Sequence, residues 1–523
     1  MTMRALERGR SGVRRRWVQR MGAFAALAAV AAGSSAAGGP QEIRKLTSSY
    51  RAAHEKAIVE EFMQLLALPN VAANVSDVDR NAAAIRAQLE RRGFTTQLLR
   101  ARPQTPAAVF AEMRVPGAKR TLLLYAHYDG QPVSQPGWRS QPFVPVVRSG
   151  NDARTATDVS WKTAPALDPE WRIYARSASD DKAPIQAILS AVDALKAEGK
   201  NPAVNIKLFL EGEEEAGSTN LTDILRQNRA LLAADLFVLS DGPRHSSGKM
   251  QVFFGARGIA ELGLTVYGPA RPLHDGHYGN WVPSPAAALV NLLSQLRDDN
   301  ANILIPGIMD QVRPLTAAET AAIAALPRDD ERLRAELAVG RSEGKGSLPE
   351  QLMLPALNIR GLRAGNVGAS ATNTIVTSAE ASIDFRLVPD QQPEAVKAAT
   401  ESYLQKLGWF VVDREPSLAE RRAHPKVVKA VWKLGYPAYR TRLGTGESAI
   451  RAVEKAFGQP LIRVPMLGGS VPMAIFADEL QMPVLGLPIA NADNNQHAEN
   501  ENIRIGNLWD AIDMFGVLIS DPD

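Results

Sequence analysis

Four carboxylates crowd one short stretch of this chain. The run LFLEGEEEAGS, residues 208–218, carries Glu211, Glu213, Glu214 and Glu215 at the end of an apolar segment. Like charges at a strand end repel, and a bound divalent cation relieves that repulsion most simply; a solvated acidic loop is the plainer alternative. Other apolar segments end in a similar way. His127 and Asp129 follow TLLLY (121–125), Asp241 follows DLFVLS (235–240), and Asp493 and His497 lie in a polar loop after residues 484–487. Asp180 and Asp181 precede a helical pattern, where either could serve simply as an N-cap. The chain has no cysteine, so a metal would be held by imidazole and carboxylate, a donor set suited to zinc and also to manganese or cobalt. Two ions about 3.5 to 4 Å apart, bridged by a carboxylate, would lower the pKa of a shared water and polarise a carbonyl. A glutamate beside a ligating glutamate could then carry that water's proton to a leaving amine, which makes amide hydrolysis the natural reaction. Asp129, two residues from His127, could orient the imidazole.

These residues are far apart in the chain, and only a fold can gather them. In open α/β sheets, sites form beyond the carboxyl ends of the strands, which is where these segments present their polar residues. Apolar spacing predicts helices over 45–67, 77–92 and from 182 onward, and strands at 95–99, 107–113, 121–125, 205–210, 235–240 and 484–487. Residues 131–171, rich in Pro, Ser and Trp, read as a long loop. The middle differs: 259–266, 358–362 and 382–388 have the pattern of an antiparallel sheet, 285–296 is helical, and 315–345 reads as helix plus a mobile loop near 340–346. A first domain is therefore expected at 45–254 and an inserted one at 255–385. The chain then returns to the first domain over 386–523, through helices at 393–407, 425–434, 447–457 and 503–518.

The 523 residues are 45% hydrophobic, enough to fill the cores of two or three domains. The formal charge of +4 does not describe the body of the chain, because residues 1–36 hold seven arginines against Glu7, more than the whole excess. No nucleic-acid partner is expected from the remainder. The arginine-rich start, an apolar run at 22–32 and small residues at 34–39 predict a signal peptide at 1–36, of a type that Arg14-Arg15-Arg16 suggests is twin-arginine. The expected location is periplasmic or extracellular, with no membrane span left after processing, since the apolar run is too short to cross a bilayer. Without cysteine, disulfides and thiolate nucleophiles are excluded.

Several residues read as ordinary when taken singly. His54, His245 and His424 have no partner pattern and are expected at the surface, and Lys182 reads as a local salt-bridge partner. Ser470 lies in a Gly468-Gly469-Ser470 turn without the Gly-x-Ser-x-Gly elbow of a serine hydrolase.

In order along the chain, however, the segments HYDG (127–130), SDDK (179–182), EGEEEAGS (211–218), Ser240-Asp241, LHDG (273–276), RLVP (386–389), GGSVP (468–472) and HAENE (497–501) resemble the dinuclear-zinc M20 metallopeptidases. The similarity is greatest to their carnosine-dipeptidase-like branch. That resemblance implies an α/β, zinc-peptidase-like catalytic domain with a mixed central sheet flanked by helices, plus an inserted α+β lid and dimerisation domain with an antiparallel sheet. It implies that His127, Asp180, Glu215, Asp241 and His497 bind two divalent cations, zinc or else manganese or cobalt, with Asp180 bridging. Glu214 would be the general base, with Asp129 orienting His127. His274 would steady the oxyanion, from the partner subunit of a homodimer. Arg386 would clamp a substrate carboxylate in a pocket lined by Gly469 and Ser470. The chain departs from the family at Ala175, Ser177 and Ala183, where glycines are usual, at Met466-Leu467, where Arg-Glu is frequent, and at Asp275, where serine is frequent. The expected activity is an exported dipeptidase acting on small peptides with a free carboxylate. The alternatives are an amidohydrolase acting on N-acyl or N-carbamoyl amino acids, or a catalytically silent binding protein on the same fold.

Overall fold

A computed structural model describes residues 38–521 apart from 135, 153 and 154; the expected signal segment at 1–36 lies outside the described residues. The first layer is an eight-stranded mixed sheet. Its order is Thr95–Leu99, Ala108–Met113, Asn205–Glu211, Thr121–His127, Leu236–Leu239, Val484–Gly486, Gln251–Phe253 and Ile462–Val464. Strand Thr121–His127 runs parallel to both Asn205–Glu211 and Leu236–Leu239, and the latter is parallel to Val484–Gly486. Four carboxyl ends therefore reach the same edge. The unbroken apolar character of TLLLY has a direct cause. Leu122, Leu124 and Ala126 enter one core with helices Pro40–Leu66, Lys182–Ala197 and Ile505–Ser520, while Leu123 and Tyr125 enter a second core with Phe209, Phe237 and Phe476. A strand covered on both faces needs apolar residues at every position rather than at alternate ones.

The second sheet has five strands, in the order Ala356–Arg363, Ser378–Leu387, Gly258–Tyr267, Val427–Tyr436 and Phe410–Val412. The first four pair antiparallel and the last pair is parallel. Helices Pro285–Leu296 and Pro393–Lys406 close one face through Leu289, Leu292, Leu296, Val396 and Leu404. The α/β architecture with a mixed sheet and a second, mainly antiparallel sheet matches the expectation.

Three local expectations do not hold. Residues 425–434, expected as a helix, contain strand Val427–Tyr436, so the elements of the second sheet extend from 258 to 436, past the residue 385 at which the insert was expected to close. The strand is hard to see in sequence because apolar residues occur on both of its faces, with Val431 50% and Leu434 36% exposed, and its partner Gly258–Tyr267 is remote in the chain. The long loop at 131–171 includes strand Val146–Arg148, which pairs with Arg172–Tyr174 and through it with Asn502–Arg504. Lys182 is fully buried rather than in a surface ion pair; its Nζ donates to the carbonyls of Leu65 at 3.0 Å and Leu68 at 3.2 Å, and burial lowers its pKa to about 7. Among the described residues, no helix is long and apolar enough to cross a membrane.

Candidate metal centre

At the carboxyl edge of the first sheet the expected residues meet. His127 ends its strand fully buried, with Nε2 2.9 Å from Asp180 Oδ1 and 4.0 Å from Asp241 Oδ2. The other oxygen of Asp180 lies 3.0 Å from His497 Nε2, so one carboxylate spans two imidazoles. Glu215 Oε2 lies 3.4 Å from the same His497 nitrogen and accepts a hydrogen bond from Gln131 Nε2 at 2.7 Å. Two groups of three, His127 with Asp180 and Glu215, and His127 with Asp181 and Asp241, each offer ligand atoms within 4.8 Å of one another. The Asp180–Asp181 peptide is cis.

Local backbone structure aims the two adjacent glutamates. Glu214–Ala216 form a single 3-10 turn closed by Gly217 at φ +88°, a left-handed conformation that glycine adopts without strain. Asp129 accepts from the backbone N–H of Glu214 at 3.1 Å and of Glu215 at 2.9 Å, while its Oδ1 stands 3.4 Å from His127 Nδ1. It thus holds the glutamate turn as well as facing the histidine. Glu211 and Glu213 point elsewhere: Glu211 accepts from the Tyr125 hydroxyl at 2.8 Å and Glu213 from Asn220 Nδ2 at 2.8 Å. Asp493 pairs with Arg172 at 2.8 Å.

The electrostatics of this nest require positive charge. Burial, with repulsion from Asp180 and Glu214, pushes Glu215 well above the usual carboxylate range. Glu214, whose carboxyl is enclosed although the residue as a whole is half-buried, is raised by the same enclosure, with His127 opposing and Asp241, Asp180 and Asp129 adding to it. Asp241 is pushed up to about 6, mainly by burial. Asp180 goes the other way: burial would raise it, but the His127 hydrogen bond and the close imidazoles of His127 and His497 hold it well below its ordinary value. Asp180 Oδ2 is nevertheless buried without a well-aligned hydrogen bond among the described residues. Acids that cannot all ionise unaided, around an oxygen with no proper donor, fit divalent cations bound by nitrogen and oxygen.

Beyond the nest, Arg386 on strand Ser378–Leu387 donates from Nε to Asp384 at 2.7 Å and from an Nη to Ser470 Oγ at 2.9 Å, and Gly469 beside it is exposed. Sequence reading missed Tyr436, because its strand was expected as a helix. Tyr436 pairs with Ile259, which pairs with Arg386, so the three stand in one row across three strands. An extra residue, Gly435, bulges the ladder there; a Cβ on it would lie 2.6 Å from the Ile259 carbonyl oxygen. The same strand touches the glutamate turn, since Lys433 Nζ donates to the Ala216 carbonyl at 3.3 Å. Tyr436 is 6% exposed, its hydroxyl has no hydrogen-bond partner among the described residues, and burial plus the charges of Glu214 and Asp241 raise its pKa well above the usual phenol value. Gln131 was also missed, although it adjoins the HYDG motif, and Asp181, read only as an N-cap alternative within SDDK, falls in the second group of ligand atoms. His274 is not brought to the nest. It is half exposed, takes the Gly276 N–H on Nδ1 at 3.1 Å and lies 4.6 Å, ring to ring, from His277.

Imidazoles and carboxylates gathered at the strand ends of a mixed sheet, with an arginine on a second sheet beside them, are the layout of a metal-dependent hydrolase. The chain belongs to peptidase family M20/M25/M40, whose sequence profile matches residues 123–521. It is 29% identical over 419 residues to the Cys-Gly metallodipeptidase dug1 of Schizosaccharomyces pombe, covering 78% of this chain and 81% of that protein. To the Beta-Ala-His dipeptidase of Homo sapiens it is 29% identical over 420 residues, covering 78% and 75%. The crystal structure of the M20 family metallo-carboxypeptidase Sso-CP2 from Sulfolobus solfataricus superposes with a TM-score of 0.74 at 27% identity, covering 89% of this chain and 99% of that one.

Proposed function

We propose that the protein is a metal-dependent dipeptidase that hydrolyses the amide bond next to a free terminal carboxylate. The observation that carries this reading is the pairing of an acid-rich nest with the Arg386–Ser470 corner, 2.9 Å between donor and hydroxyl. His127, Asp180, Glu215, Asp241 and His497 would hold two divalent cations, zinc or else manganese or cobalt, with Asp180 between them. Bound there, such ions polarise a scissile carbonyl and lower the pKa of an attacking water. Glu214 takes the proton from that water and returns it to the leaving amine nitrogen, while Asp129 keeps the glutamate turn in place through its two backbone bonds. Arg386, Ser470 and Gly469 receive the substrate carboxylate. The Tyr436 hydroxyl, which feels the charges of both Glu214 and Arg386, donates to the substrate. His274 reaches the oxyanion from the second subunit of a homodimer, which accounts for its separation from the nest of its own chain. The arginine-rich leader makes this an exported enzyme.

The same Arg386 corner would receive an N-acyl or N-carbamoyl amino acid, so an amidohydrolase is the second reading. Dipeptides, longer peptides and N-acyl amino acids assayed side by side with zinc, manganese and cobalt separate the two. Dipeptides are expected to give the highest kcat/KM; preference for acyl amino acids would replace the dipeptidase assignment with the second reading.

A further inference from the structure

Glu501 lies four residues beyond His497, is 0% exposed, and turns its carboxylate onto the loop that carries Asp180. Oε1 accepts from the backbone N–H of Ser179 and of Asp180 and from the Ser179 hydroxyl, each at 3.0 Å. Oε2 accepts from the Ser177 N–H at 2.9 Å and from Arg176 at 2.8 Å. Arg176 is itself 1% exposed, donates to the Pro132 carbonyl at 3.2 Å and lies over the Trp138 ring at 5.1 Å. One carboxylate thus gathers successive backbone donors of a single loop, and a buried guanidinium balances its charge.

Both loops spring from one ladder. Strand Arg172–Tyr174 pairs with Asn502–Arg504, the Ala175 N–H donates to the Glu501 carbonyl at 3.1 Å, and beyond that point the loops diverge toward Asp180 and His497. Neither loop is free to drift. Ser177 sits at φ +61°, where the family uses glycine, and its hydroxyl accepts from Asn70 at 2.8 Å. On the other side, His497 and Asn500 have φ +63° and +61°, and Asn500 bonds the backbone of Gly137 and Arg139 at 2.9 Å each. Across this pair of stiff loops, the Glu501 carboxylate is the direct side-chain link to the backbone of Asp180.

We infer that Glu501 is a positioning residue. It fixes the placement of Asp180 against His497 and so sets the affinity of the cation those two residues share, without itself meeting the ion. The inference rests on the two-cation reading above. The test uses the full chain stripped with a chelator and titrated calorimetrically with zinc, as wild type and as Glu501→Gln, with thermal melts of the stripped proteins. Glutamine keeps the size but faces an N–H group toward donors on one side. Wild type is expected to bind two equivalents, and Glu501→Gln to lose about 10- to 100-fold in affinity at the site shared with His497, with a smaller loss at the other, since Asp180 serves both. Ser179→Ala removes only the hydroxyl bond and should weaken the same site to a smaller degree. A purely structural role would lower the melting temperature and leave both affinities as they were, which overturns the inference. If Glu501→Gln does not fold, unchanged affinities in Ser179→Ala overturn it equally. A wild type that binds no zinc at millimolar concentration overturns the two-cation reading, and this inference with it.

Discussion

Changing Glu214 to Gln isolates the proton-transfer step. The Glu214 backbone N–H is held by Asp129 at 3.1 Å, and its carboxyl takes no hydrogen bond from the described residues. The substitution therefore leaves the turn anchored and removes an acid that burial and the nearby Asp241, Asp180 and Asp129 already disfavour as an anion. Metal content should remain as in wild type, and the stripped protein should melt no lower. What is lost is the base: general acid/base catalysis contributes roughly 10²- to 10⁴-fold, or about 3 to 5.5 kcal/mol of barrier. Steady-state hydrolysis of a dipeptide, with metal measured by elemental analysis on the same preparations, should show kcat down by that factor and KM nearly unchanged. Glu215→Gln is the control and should lose metal as well as turnover. A Glu214→Gln enzyme within about tenfold of wild type at full metal occupancy would refute the role, and one that has lost metal would place Glu214 among the ligands.

Other outcomes follow from the same geometry. Arg386→Ala should raise KM for substrates with a free carboxylate by about 10- to 100-fold, the worth of a charge-assisted hydrogen bond, and leave carboxamide-capped substrates unaffected; equal losses on both would place Arg386 in the fold rather than the pocket. Tyr436→Phe removes a hydroxyl that bonds nothing among the described residues, so melting should not change while kcat/KM falls by about two- to tenfold; unchanged kinetics would exclude contact with substrate. The stripped protein should lose stability as pH rises from 3.8 to about 6, because folded Asp241 keeps its proton in that window where the unfolded chain has released it. Thermal melts of the stripped wild type and of stripped Asp241→Asn across that range should differ by this slope, and the wild type should lose it when zinc is restored; equal slopes in the two stripped proteins would mean Asp241 titrates normally.

Much of the site was legible because its residues sit at ends of strands whose apolar runs are unmistakable. TLLLY and DLFVLS are buried on both faces, so they announce themselves, and His127 and Asp241 follow directly. What was not legible depended on partners remote in the chain. Val427–Tyr436 takes its hydrogen bonds from Gly258–Tyr267, and Val427 and Val431 share a face with Lys429 and Lys433, so no strict apolar/polar alternation marks it, and Tyr436 was lost with it. The bonds of Asp129 to the glutamate turn were invisible for a different reason: orientation of His127 was the nearer role for an acid two residues away, whereas the backbone it holds follows the neighbouring strand, more than 80 residues on in the chain. The replacement of glycine by Ser177 was legible as a departure but not as a harmless one. Only the structure shows the left-handed backbone retained with Asn70 supporting the side chain.

The strand that ends at Tyr436 also bears on modularity. Every residue proposed to ligate metal lies outside 258–436, so this region looks removable, and an engineer seeking a minimal hydrolase would delete it first. Yet Lys433 is bonded to the turn of Glu214 and Glu215, and Arg386 and Tyr436 belong to the region's own sheet. On the proposed reading, a shortened chain would keep its affinity for cations while surrendering both its grip on the substrate and the outer support of its base. Chemistry and recognition would then be shared between two sheets and could not be separated by a cut at the boundary between them.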